Sequence, residues 1–180
     1  MKFRTLIFSL IALSFMASLF ADGTRTEGGG QYGKETLESL GGNGLIKLNG
    51  TTVTKEIHLN GSLISQNGQI GSLDVLGEVN LTETTVQHGG AITGSIQTVR
   101  STIKEPITIL SHKSVFTASK LKGITVKHDG ATKGKQTIEL RQGTLVDGPI
   151  HFESGKGEVL IFTGSQVLGP VTGGKVIKKT

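Results

Sequence analysis

A chain of 180 residues with no cysteine and 4% aromatic residues has neither a disulfide framework nor a ring-built core, so any interior must be made of Ile, Leu and Val. Its formal charge of +5 is mildly basic and selects no class of partner. The length argues for one domain rather than two.

Residues 1–21 read as a secretory signal peptide. Lys2 and Arg4 form a positive start, Leu6 to Phe20 an apolar run interrupted only by small hydroxyl residues, and Ala21 a small residue at the cut. Leu19, three residues before the cut, is larger than usual, which leaves the cleavage position open. The run is shorter than the ~20 apolar residues of a membrane span, so no stable membrane insertion is expected once it is removed. An uncleaved N-terminal anchor is the alternative. No Cys follows the run, which argues against a lipid-anchored lipoprotein. Removal takes both Met and four of the seven Phe, leaving Tyr32, Phe116, Phe152 and Phe162, and lowers the formal charge from +5 to +3. The expected location is secreted, periplasmic or at the cell surface.

Residues 22–44 differ in texture. Gly28-Gly29-Gly30 and Gly41-Gly42-Asn43-Gly44 punctuate the stretch, which predicts a flexible linker. Between them, Lys34 to Leu40 places Leu37 and Leu40 on one side of one or two helical turns, a short capping helix that is marginal alone.

From residue 45 to 177 the pattern is strand-like. Ile57-His58-Leu59, Val79-Asn80-Leu81, Ile107-Thr108-Ile109, Ile138-Glu139-Leu140 and Val159-Leu160-Ile161 alternate apolar and other residues with the period of a half-buried strand. The runs recur in five imperfect units. Each has an apolar-x-apolar pair, a Ser or Thr beside an apolar residue, and a closing corner glycine at Gly71, Gly94, Gly123, Gly148 or Gly169. Ile46, Leu48 and Thr52-Val53 resemble a truncated unit before the first. No unit can bury its own apolar side, whereas stacked units align Ile, Leu and Val into columns. The expected fold is all-β, a single-stranded parallel β-helix (β-solenoid) of about five rungs and about 25 Å in length. An antiparallel sandwich or barrel is the alternative. Residues 178–180 form a basic tail, and Lys175, Lys178 and Lys179 are read as charges guarding the last strand edge.

No catalytic, cofactor-binding or metal-binding set is found. His58 and His151 lie between inward apolar residues and should point to solvent; His88, His112 and His128 fall in turn-like stretches without zinc spacing. Lys127-His128-Asp129 is read as a charged turn. Asp74, Glu78, Glu83, Glu105, Asp147, Glu153 and Glu158 show no glycosidase-like pairing. Gly28-Gly29-Gly30 lacks the strand and the Lys of a phosphate loop. The lysine-rich end lacks the interleaved aromatics of a nucleic-acid surface. Asn49, Asn60 and Asn80 begin glycosylation sequons.

Ile92-Thr93-Gly94-Ser95-Ile96 and Gly77-Glu78-Val79-Asn80-Leu81 resemble the phrases of bactofilin-type polymer-forming proteins. That resemblance implies a short right-handed β-solenoid able to assemble end to end without nucleotide. The chain is also similar to β-solenoid segments of bacterial surface adhesins. The expected function is that of an exported, non-enzymatic structural or surface-interaction module with a protein or glycan partner. A self-assembling scaffold and a polysaccharide-binding or -processing protein are the alternatives.

Overall fold

The structure is a computed structural model that describes residues 24–130 and 134–180; the expected signal segment lies outside the described residues. In chain order the first strands are β1 (Thr24–Tyr32), β2 (Thr36–Leu37), β3 (Leu40–Asn49), β4 (Thr52–Gln66) and β5 (Gln69–Thr82). Next come β6 (Thr85–Val86), β7 (Gly90–Val99), β8 (Thr102–Ile103), β9 (Ile107–Leu110) and β10 (Lys113–Thr117). Then follow β11 (Lys120–Leu121), β12 (Ile124–Val126), β13 (Thr137–Arg141), β14 (Leu145–Val146) and β15 (Ile150–Phe152). The last are β16 (Gly157–Phe162), β17 (Gln166–Val167), β18 (Val171–Thr172) and β19 (Gly174–Lys179). Every pairing among them is parallel. No helix occurs among the described residues.

The strands stack into a three-walled β-solenoid. Wall A is narrow and runs from β2 through the starts of β4 and β5 to β6, β8, β11, β14 and β17. Wall B holds the first halves of β3 and β7, the middle parts of β4 and β5, and then β9, β12, β15 and β18. Wall C holds the last parts of β3, β4, β5 and β7, then β10, β13, β16 and β19.

The described residues make about nine turns rather than five, a rod about 40 Å long. The basic repeat is 16 to 18 residues, as Val53, Ile70, Val86, Ile103 and Leu121 show by stacking in one column of wall A. Walls B and C both carry apolar-x-apolar strands. The five-unit reading therefore matched Ile57/Leu59 and Ile107/Ile109 of wall B with Val79/Leu81, Ile138/Leu140 and Val159/Ile161 of wall C. A step from one wall to the other in the next coil was counted as one repeat.

The solenoid also begins earlier than residue 45. Residues 24–44 contribute β1, β2 and the start of β3, and no helix forms over Lys34–Leu40. Leu37 and Leu40 are both buried, as the expected helix required, but a corner between two walls satisfies the same three-residue spacing.

The interior is built from columns. Wall A contributes Leu37, Val53, Ile70, Val86, Ile103, Leu121 and Val146, all at most 4% exposed. Walls B and C add columns such as Ile46, Leu63, Val79 and Ile96. Each such side chain removed from water contributes about 1.5–3 kcal/mol. Phe152 is larger than the residues beneath it in its column, Val126 and Ile109. Room comes from Gly157, where a Cβ would overlap the Phe152 ring.

Two corners are set by backbone conformation. Between walls C and A, the residues Gly50, Asn67, Glu83, Arg100, Ala118, Gly143 and Gly164 all have positive φ, from 49° to 81°. Each is followed by an inward residue: Thr51, Gly68, Thr84, Ser101, Ser119, Thr144 or Ser165, all buried. Their hydroxyls form a hydrogen-bonded ladder up the axis. Ser101 Oγ accepts from the Thr84 amide (3.2 Å), Ser119 Oγ from the Ser101 amide (3.2 Å), and Ser165 Oγ from the Thr144 amide (3.2 Å). Between walls B and C, Gly44, Gly61, Gly77 and Gly94 stack directly with φ from 99° to 152°. A Cβ on Gly61, Gly77 or Gly94 would overlap the carbonyl oxygen of the glycine below.

The glycines predicted to mark one corner divide between two. Gly71, Gly123, Gly148 and Gly169 lie between walls A and B, whereas Gly94 belongs to the B–C column. Beyond Gly94 that column gives way to excursions that include residues 111–112, 127–130, 134–136 and 153–156.

Candidate interaction surface

Side chains at alternate positions of each strand face outward, and parallel stacking places equivalent ones about 4.8 Å apart. Charged neighbours in successive coils meet as opposite charges. His58 Nδ1 lies 2.8 Å from Asp74, Arg100 2.7 Å from Glu83, Lys122 2.6 Å from Asp147, Lys127 2.6 Å from Glu153, and Lys135 2.6 Å from Glu158. Lys55 pairs with Glu38 in the same way. Most of these groups are half exposed, so each pair contributes little on its own.

Glu139 differs. Its outward side chain on β13 is only 8% exposed, held by Lys113 at 2.8 Å and by Arg141, whose guanidinium lies 5.3 Å from the Phe162 ring centre. Burial pushes the Glu139 carboxyl up, and the hydrogen bonds and charges of Lys113 and Arg141 outweigh it and hold the group below the usual glutamate range. Lys127 lowers Glu153 by a hydrogen bond in the same sense.

Wall A presents two outward columns. The first rises through Thr52, Gln69, Thr85 and Thr102 to Lys120, Leu145 and Gln166. The second includes Gln87, Lys104, Lys122 and Asp147, whose amides bond in turn to Ile70, Val86, Ile103 and Leu121. Lys104, Lys120, Lys122 and Asp147 line a shallow concavity of about 180 Å³, completed by the outward Leu145 and by Ile103 and Leu121, whose side chains turn into the core. Two further concavities follow the B–C corner. One of about 460 Å³ lies where the glycine column ends, beside Ser111, His112, Lys113 and Asp129. The other, of about 370 Å³, is lined by Lys135, Lys156, Glu158, Lys175 and four glycines.

Charge is unevenly spread along the chain. Residues 22–99 carry four Lys and Arg against eight Asp and Glu, and residues 100–180 carry thirteen against six. Sequence reading passed over this because the whole-chain charge averages the two halves.

The histidines are scattered. His58 and His151 face outward as alternation requires, the latter bonded to Thr172 at 2.7 Å. His88 lies 3.4 Å from Glu105, and His112 lines the 460 Å³ concavity. Among the described residues, no three His, Cys, Asp or Glu converge on a metal-sized site. Lys127 and His128 both reach Glu153, the lysine by its side chain and the histidine by its amide.

Lys175, Lys178 and Lys179 stand exposed on β19, which pairs on one side with β16. Val167 and Val171 of the last coil are only partly buried, and Val176 is 48% exposed. The interior columns thus reach the surface at this end.

No protein-family model, curated protein or solved structure matches the chain. The fold defines its class, that of parallel β-solenoids.

Proposed function

We propose that the protein is an exported, non-enzymatic interaction module that presents wall A to a hydroxyl-rich partner, a glycan chain above all. The observation that carries this reading is the in-register column Thr52, Gln69, Thr85 and Thr102, flanked by Gln87. Donors and acceptors fixed at ladder spacing on a stiff backbone bind a linear polymer with little ordering cost. The test is a glycan array probed with the full chain, followed by product analysis of each retained glycan. Retention without turnover is the expected result. Turnover of any glycan would make the protein an enzyme, and retention of none would remove the reading.

A second reading, a self-assembling scaffold of the bactofilin type, is favoured by one observation. The last coil leaves Val167, Val171 and Val176 open beside an unpaired strand edge. Light scattering with negative-stain microscopy distinguishes the two, since fibres at micromolar concentration require the scaffold.

A further inference from the structure

Lys104 and Lys122 stack in successive coils. Ile103 pairs with Leu121 in register, and the amides of Lys104 and Lys122 make equivalent bonds to Val86 and Ile103. Elsewhere on the rod, stacked charges meet as opposite pairs; here two ammonium groups follow one another. Lys120, two residues from Lys122 on the same face of the coil, adds a third. Asp147 supplies one carboxylate, bound to Lys122 at 2.6 Å. Lys104 and Lys120 are exposed and make no side-chain hydrogen bond or ion pair among the described residues.

A local rule kept along the rod and broken at one concavity marks a site where something other than folding sets the residues. Three amines around one concavity repel one another when empty and are satisfied by an anion placed between them.

We propose that the Lys104–Lys120–Lys122 concavity binds an anionic substituent, a carboxylate or a sulfate ester, on a glycan chain lying along wall A. This rests on the reading of wall A as a glycan-binding face and adds the charge class of the glycan. The polymer follows from what adjoins the cradle: Thr102, Thr85 and Gln87 lead away on one side, and half-buried Leu145 on the other. A nucleic acid is disfavoured because no aromatic side chain lines this concavity for a base to stack on.

The experiment measures binding of the full chain to polygalacturonate, heparin, neutral dextran and a single-stranded oligonucleotide at low and moderate salt. Tighter binding of polygalacturonate or heparin than of dextran is expected, weakening as salt screens the lysines; the preferred polymer tells carboxylate from sulfate. The pair Lys104→Gln and Lys120→Gln should lower that affinity tenfold or more. Lys156→Gln with Lys175→Gln, at the other basic concavity, should change it less than twofold. Asp147→Asn frees Lys122 and should raise it.

Equal losses in both double variants would reduce the effect to diffuse charge and overturn the proposal. So would an oligonucleotide bound as tightly as the polysaccharides, or no gain from Asp147→Asn. Binding of neutral glycans that ignores Lys104 and Lys120 would sink the anion site and leave the wall A reading standing. Binding of no glycan at all would remove both. Melting temperatures of the lysine variants at or above that of the parent exclude loss of fold as the cause.

Discussion

Ser65 and Thr84 share a buried hydrogen bond of 3.0 Å across a coil whose corner lacks a hydroxyl. Gly68 takes the place that Thr51, Thr84 and Ser101 fill in neighbouring coils, and a Cβ there would approach Ser65 Oγ to 2.6 Å. Ser65 itself interrupts an apolar column between Leu48 and Leu81. The hydroxyl has moved across the interior from one wall to another. Restoring the regular arrangement with Gly68→Ser and Ser65→Leu together should be tolerated, while each change alone is destabilising. A double-mutant cycle by urea denaturation should show a favourable coupling of about 1 kcal/mol or more. Additive effects would mean that the two positions do not compensate each other.

The glycine column makes a sharper demand. Gly77 has φ 143°, and a Cβ there would overlap the Gly61 carbonyl oxygen. Gly77→Ala should cost about 3 kcal/mol from conformational strain and overlap together. Gly130, at φ 72° with open space around it, should cost only about 1 kcal/mol as Gly130→Ala. Thermal melts of the two variants compare them directly.

Ala118 occupies the positive-φ corner at 49° without a side chain that compensates. Ala118→Gly should therefore stabilise the fold by about 0.5–1 kcal/mol. A lower unfolding midpoint in that variant would contradict the strain argument.

Ser119 Oγ accepts hydrogen bonds from the Ser101 amide and from Thr98 Oγ1, and donates to the Thr117 carbonyl at 2.8 Å. Ser119→Ala leaves that amide buried without a partner, at about 1–3 kcal/mol. Native-state hydrogen exchange should report the loss at the Ser101 amide before it reaches distant coils, because each coil touches only its neighbours.

The Glu139 carboxyl is held below its ordinary value in the folded chain, so the folded state favours its charged form. Its stabilising contribution is complete above the unfolded glutamate range and is lost as pH falls through the lower, folded value. Stability should decline below about pH 4.5, and Glu139→Gln should flatten that decline. Glu153→Gln, which removes an exposed carboxylate, should change the acid limb less.

Strand content, parallel stacking and the identity of the core were legible because Ile, Leu and Val alternate with period two through most of the chain. The number of coils was not. Walls B and C share one sequence signature, and the residues inserted between β12 and β13 stretch the spacing from Leu121 to Val146 to 25 residues. The sharper signal lay in wall A, where a positive-φ residue, a Ser or Thr, any residue and an apolar one recur as Glu83-Thr84-Thr85-Val86, Arg100-Ser101-Thr102-Ile103 and Ala118-Ser119-Lys120-Leu121. Ser62-Leu63 and Ser114-Val115 also place a Ser beside an apolar residue, but they belong to wall C. The lysine cradle was invisible for a related reason. Lys104 and Lys122 are eighteen residues apart in sequence, and only the correct coil length makes them neighbours.

The positive-φ corner that opens each coil is defined within four residues and refers to nothing farther along the chain. A tandem copy of Glu83–Val99, one corner to the next, would accordingly slot in as another storey with its own hydroxyl and its own apolar triplet. The rod would lengthen by a fixed increment while its cross-section stayed the same. In such a molecule, gene duplication edits reach and the number of presented groups without redesigning shape.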